Sequence, residues 1–206
     1  MTPILYSFRR CPYAMRARMA LDVANIQIIH REILLKKKPR EMLEASPKGT
    51  VPVLVLANGQ ILDESLDVMR WALAIHDPEE WCRDLPLADM LISRNDGPFK
   101  HHLDRYKYAS RYDPQMAAHH RHQGLLVLKD LDERLHNSTF LGGNKPFLGD
   151  IALFPFVRQF RVADPDDFDR QDLPNLQHWL HYFLQNDRFA RVMKKHPLYQ
   201  TGDEDE

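Results

Sequence analysis

The spacing of apolar positions changes period several times along the chain. Ile4-Leu5-Tyr6-Ser7-Phe8 is a short apolar run with loose alternation and predicts a strand. Tyr13 to Ala24, rich in Ala, Met, Leu and Arg with one apolar face, predicts a helix. Asn25 breaks that pattern, Gln27 to Ile33 predicts a second strand, and Pro39 to Ala45 a short helix. Ser46-Pro47-Lys48-Gly49-Thr50 is turn chemistry throughout. Val51 to Leu56 is a β-branched run whose Pro52, with no N–H for a ladder, belongs at the first residue or an edge. Asn58-Gly59 signals a hairpin into Gln60-Ile61-Leu62. After Asp63-Glu64-Ser65, residues Leu66, Met69, Trp71, Leu73 and Ala74 recur at helical spacing. The order β-α-β-α-β-β-α implies a small mixed sheet with helices packed on it.

Beyond residue 77 the pattern carries no convincing strand. His76 to Pro86 reads as a linker, and Leu87 to Tyr112 as a long helical stretch interrupted at Gly97-Pro98, where a kink or break is expected. Asp113-Pro114 offers an N-cap and a first-turn proline for a helix to about Leu135. Asp150 to Arg161 predicts a very apolar helix bent by Pro155, and Leu173 to Gln185 and Arg188 to Lys195 complete the set. The division expected is therefore an α/β domain over 1–77, a linker over 78–86, an all-helical domain over 87–200 and a frayed acidic tail over 201–206.

Composition narrows the class. With 44% hydrophobic and 28% charged residues the chain has the balance of a globular protein, and no run approaches the ~20 apolar residues of a membrane span. The N-terminus lacks a basic start, apolar core and small-residue cleavage site, so export is not expected. The two cysteines, Cys11 and Cys82, are too few for a disulfide framework, which fits a reducing, cytoplasmic setting. A net charge of −1 gives no overall attraction to nucleic acid.

The candidate chemistry begins at Cys11, which falls at or beside the start of the first helix, with Pro12 at its first position. A thiol there meets backbone N–H groups and the positive end of the helix dipole, both of which favour thiolate, the reactive form. Arg9, Arg10 and Arg16 add positive charge nearby. The plain alternative is an inert, buried cysteine, but packing alone hardly accounts for a strand–Cys–Pro–helix order.

The sequence of a strand, Cys11-Pro12-Tyr13-Ala14, a helix, Val51-Pro52 on a strand, Glu64-Ser65 opening a helix and then a helical region resembles the glutathione transferase superfamily. Cys11-Pro12-Tyr13-Ala14 in particular is similar to its cysteine-type, omega-like and glutaredoxin-like members. That resemblance implies an α/β thioredoxin-like N-terminal domain followed by an all-α C-terminal domain. It implies glutathione as co-substrate, with Cys11 as the catalytic nucleophile forming a mixed disulfide with it. Pro52 matches the family's cis-proline, which turns the backbone so that Val51 pairs with the cysteinyl part of glutathione. Glu64 and Ser65 match the pair holding the γ-glutamyl end, and Lys38 a lysine reaching the glycyl carboxylate, with Lys48 a rival. Tyr13 lines the sulfur site. Taken singly, Asp63-Glu64-Ser65 is an ordinary helix start, Val51-Pro52 an edge-strand proline and Lys36 to Lys38 a solvated face.

Two departures stand out. Ala14 occupies the place of a second cysteine, so resolution of a Cys11 disulfide falls to another thiol. Phe147 stands where the family has a capping hydroxyl three residues before Asp150, a loss of ~1 kcal/mol unless another group substitutes.

On the helical region, Tyr106, Lys107, Tyr108 and Arg111 match the helix that walls the family's second-substrate site, and would select a planar or anionic co-substrate; the resemblance implies a small electrophile or disulfide in that role. The family also implies a homodimer, for which no diagnostic contact residue stands out. His101-His102 and His119-His120-x-His122 are dense, but neither run carries a carboxylate or cysteine at zinc-site spacing, so no metal is expected. Trp71, Trp81 and Trp179 read as core. A conjugating enzyme using the Tyr6 or Ser7 hydroxyl, and a non-catalytic interaction protein on the same fold, remain alternative readings.

Overall fold

A computed structural model describes residues 2–200, and the acidic tail expected over 201–206 lies outside them. The chain divides into two units, residues 1–78 with 187–206 and residues 79–186. The first holds a four-stranded sheet of order β2-β1-β3-β4, built from β1 (Ile4–Ser7), β2 (Ile29–Glu32), β3 (Val53–Val55) and β4 (Ile61–Leu62). β1 runs parallel to β2 and antiparallel to β3, and β3 and β4 form the hairpin turned by Asn58-Gly59. Between the strands lie α1 (Pro12–Val23), α2 (Arg40–Ala45) and α3 (Ser65–Ile75). Two adjacent register pairs show that both faces of the sheet are covered. Tyr6 and Val53 meet Met42 of α2 in one cluster, while the adjacent pair Leu5 and Leu54 points the other way, also wholly buried.

The first unit also takes in the end of the chain. α10 (Asp187–Val192) packs on α1, and beyond it Leu198 bridges Glu32 in parallel while the Tyr199 N–H donates to the Glu32 carbonyl at 2.8 Å. The sequence division had placed 187–200 in the helical domain. Its helical spacing was read correctly, but its partners are on α1 and at the β2 edge, which no local pattern encodes.

The second unit contains α4 (Leu85–Arg94), α5 (Lys100–Lys107), α6 (Ala117–Arg134), α7 (Leu148–Ala163), α8 (Pro165–Asp169) and α9 (Pro174–Gln185). Residues 79–86 of the stretch read as a linker belong to it: Trp81 is fully buried in a 3₁₀ turn. At Gly97-Pro98 the regular α-helix is interrupted without the chain leaving the helix. A π turn over Asn95–Phe99 carries Pro98, which has no N–H to donate, straight into α5. α7 is apolar on nearly all sides and forms the centre of this unit; Pro155 lies inside it and the helix continues to Ala163. Gly124 of α6 lets that helix approach closely, because a Cβ there would lie 2.6 Å from the Phe160 ring. Of the three tryptophans, Trp81 and Trp179 are core and Trp71 is half-buried. No described helix is long and apolar enough to cross a membrane.

Candidate functional site

Cys11 is the N-cap of α1, in extended conformation (φ −72°, ψ 123°), with Pro12 at the first helical position. Its N–H donates to the Phe8 carbonyl at 3.0 Å, tightening the turn out of β1, and its carbonyl accepts the first helical bond from Met15 at 2.9 Å. The side chain makes no capping hydrogen bond. Instead the half-buried sulfur lies 3.6 Å from the Val51 carbonyl oxygen. The Val51–Pro52 bond is cis, as anticipated from the motif. Thus a thiol at a helix N-terminus and the backbone edge before β3 share one spot, although 40 residues separate them.

The remaining predicted residues of the first unit are held by contacts among themselves and with Arg16. Ser65 opens α3 and is buried, its hydroxyl accepting from Arg16 Nε at 3.0 Å. Arg16, itself 1% exposed, also places its guanidinium 5.0 Å from the Tyr13 ring centre. Arg16 therefore links α1 to the start of α3. Glu64 is exposed and pairs with Lys48 at 2.8 Å, and Lys48 also holds Asp63 at 3.0 Å. Those ion pairs commit Lys48 to the Asp63–Glu64 side. Lys38, the other lysine considered, crosses Gly49, whose φ of +61° bends the turn; Nζ sits 3.3 Å from where a Cβ would be.

Sequence reasoning missed Arg18. Although charged, it is only 5% exposed. It donates to Ser7 Oγ at 2.5 Å, to the Arg9 carbonyl at 2.8 Å and, from Nε, to the Val192 carbonyl at 2.9 Å. Burial pushes its pKa down to about 10, against the pull of Glu32 and of Cys11, whose negative charges favour the guanidinium. The attraction is mutual, so Arg18 favours an anion at Cys11. Glu32 balances this charge. Burial alone would raise its carboxyl, but hydrogen bonds from His30 (3.1 Å) and the Arg9 N–H (2.7 Å) outweigh that and hold it below the usual range.

The two hydroxyls considered as rivals to Cys11 are committed elsewhere. Tyr6 accepts from Arg31 at 2.7 Å, and burial raises its hydroxyl pKa despite that guanidinium. Ser7 is fully buried against Arg18.

In the second unit the expected co-substrate residues form a cluster of their own. The Tyr108 ring lies between Lys107 Nζ at 5.3 Å and the Arg111 guanidinium at 4.6 Å, and its hydroxyl accepts from Gln159 Nε2 at 3.4 Å. Tyr106 is half-buried against Phe160, ring centres 5.0 Å apart. Gln159 Oε1 is buried with no partner among the described residues, a polar position hidden from sequence reading inside an apolar helix.

Residues 5–80 match the family model of the glutathione S-transferase N-terminal domain, and residues 125–181 that of its C-terminal domain. The chain belongs to the glutathione transferase superfamily. Mouse glutathione S-transferase omega-1 is 26% identical over 172 residues, covering 78% of this chain and 68% of the relative. Among solved structures, glutathione transferase Omega 3C from Trametes versicolor superposes with a TM-score of 0.80 at 21% identity, covering 97% and 92% of the two chains. A glutathione transferase from Burkholderia graminis, solved with two glutathione molecules bound per subunit, gives 0.80 at 17% identity over 93% and 87%. Superfamily membership accounts for a thioredoxin-like first unit followed by a helical one, and makes glutathione transfer the general activity.

Proposed function

We propose that this glutathione transferase is of the cysteine type, a glutathione-dependent thiol transferase and reductase. The observation that carries this reading is the Cys11 sulfur at the N-cap of α1, beside the Val51 carbonyl and within the field of buried Arg18. The Cys11 thiolate attacks the glutathione sulfur of a mixed disulfide, forming a Cys11–glutathione disulfide and releasing the substrate as its thiolate. A second glutathione thiolate attacks that disulfide at its glutathione sulfur, leaving oxidised glutathione and restoring the Cys11 thiolate. Ala14, fully buried, supplies no second sulfur, so the resolving thiol comes from solution.

In this reading Val51 and Pro52 present the backbone edge to the cysteinyl part of glutathione, and Tyr13 flanks the sulfur. Ser65 and Glu64 take the γ-glutamyl carboxylate and ammonium, and Lys38 the glycyl carboxylate. Tyr106, Lys107, Tyr108 and Arg111 select the co-substrate, a small electrophile or disulfide; the two cations around Tyr108 favour planar or anionic groups. A homodimer in a reducing cytoplasm completes the proposal.

Intact mass after incubation with oxidised glutathione tests it. Wild type should gain one glutathionyl adduct that reduced glutathione removes, and Cys11→Ser should gain none. Glutathione binding without an adduct would indicate a conjugating enzyme, and no binding at all would leave a non-catalytic interaction protein.

A further inference from the structure

Two dense histidine runs lie in the second unit, His101-His102 on α5 and His119-His120-x-His122 on α6. Read separately along the sequence, neither run carries a carboxylate or cysteine at zinc-site spacing. The fold places α5 directly against α6, so the runs face each other. His102 Nδ1 and His120 Nδ1 are 2.9 Å apart. His101, His102 and His120 each bring one ring nitrogen into a group whose members all lie within 4.8 Å of one another. The ring centres are 5.0 Å (His101–His102), 5.1 Å (His102–His120) and 5.7 Å (His101–His120) apart. The π turn over Asn95–Phe99 immediately precedes α5, and such turns shift the face a following helix presents.

We propose that His101, His102 and His120 form a binding site for a late first-row divalent cation such as Zn²⁺.

The donor chemistry selects that class. Three imidazoles without a carboxylate or carbonyl suit Zn²⁺, Cu²⁺, Ni²⁺ or Co²⁺ and do not suit Mg²⁺ or Ca²⁺, which take oxygen ligands. Metal–nitrogen bonds of about 2.0–2.1 Å in a tetrahedral set place nitrogens about 3.3 Å apart, a spacing between the observed contact and the outer limit of the group. Small rotations of partly exposed side chains supply the difference. Ligation requires neutral rings. Burial and the neighbouring histidines push His102 and His120 below the ordinary histidine range, the direction that favours the neutral form. The charges that face His120 are mixed: Arg105 opposes a cation and Asp113 favours one. Three protein nitrogens leave a fourth position for water or an exogenous ligand. The bound ion would tie α5 to α6 as a cross-link.

The test uses the full chain, free of any affinity tag and stripped with a chelator. Zn²⁺ is titrated calorimetrically, and Co²⁺ is followed through its visible ligand-field bands. The expected result is one equivalent bound with Kd of about 10 μM or tighter. His102→Gln and His120→Gln should each weaken it about 100-fold or more. His178→Gln, on an exposed histidine of α9, should leave it unchanged. Should the half-buried positions not tolerate change, exposed His101→Gln gives the same readout with less risk to folding. Absence of stoichiometric binding, or binding that survives His101→Gln, His102→Gln and His120→Gln alike, overturns the proposal.

Discussion

Helices α1 and α7 both begin without a capping hydroxyl or carboxylate at the N-cap, which is Cys11 in one and Phe147 in the other. At α7 the open amide end is closed from within. Asp150, fully buried in the first turn, accepts from the Phe147 N–H at 3.1 Å, the Leu141 N–H at 2.9 Å and Trp179 Nε1 at 2.7 Å. The carboxylate thus supplies half of a capping box and pins a loop and α9 to the same point. At α1 the N-cap side chain is a thiol that makes no such bond, and buried Arg18 of the same helix reaches Ser7 and Arg9 just before it. One terminus directs its positive dipole end at a structural anion, and the other at a thiol. The cap lost at Phe147 is therefore replaced by a group that does more than the missing hydroxyl would.

The comparison breaks most sharply at Asp150. Asp150→Ala leaves three buried donors without an acceptor and should cost about 3–5 kcal/mol in denaturant unfolding. A cost under about 1 kcal/mol would show that α7 needs no such closure. Cys11→Ser keeps shape and volume, so stability should hold while thiol transfer falls on the order of 10³-fold, about 4 kcal/mol in the barrier. Retained thiol-transfer kinetics would move the nucleophile elsewhere.

A pH series sharpens the contrast. Burial pushes Asp150 up to about 6 from 3.8, against the pull of its three donors and Arg83. Its folded pKa lies above the unfolded one, so between about pH 4 and 6 the native state holds more protons, and stability from this group falls as pH rises through that window. The stability difference between wild type and Asp150→Asn should therefore be larger at pH 4 than at pH 7, by at most about 3 kcal/mol. A difference flat across that range would contradict it. Arg18→Met is the mildest of the four. Losing its bonds to Ser7, Arg9 and Val192 should cost about 2 kcal/mol. In a Cys82→Ser background it should also shift the pH midpoint of Cys11 alkylation upward, which a purely structural arginine would leave in place.

Local signals made α1 and its cysteine legible: Cys11-Pro12 after a strand, Asn58-Gly59 between strands and Glu64-Ser65 before an apolar period each report on neighbours a few residues away. The same reasoning passed over Arg18, because its burial depends on Val192, 174 residues distant. It assigned 187–200 to the wrong unit because helical spacing says nothing about which face of which element a helix meets. It separated His101-His102 from His119-His120 because the contact between them exists only once α5 lies on α6.

The sequence by itself determined the element order, the thiol at a helix start and the superfamily, since short-range backbone preferences and side-chain periods are written in adjacent residues. Only the tertiary structure decided what surrounds that thiol, what closes α7 and which histidines meet. Burial, desolvation and ligand geometry arise from contacts between segments far apart in the chain, and those contacts exist only in the folded state.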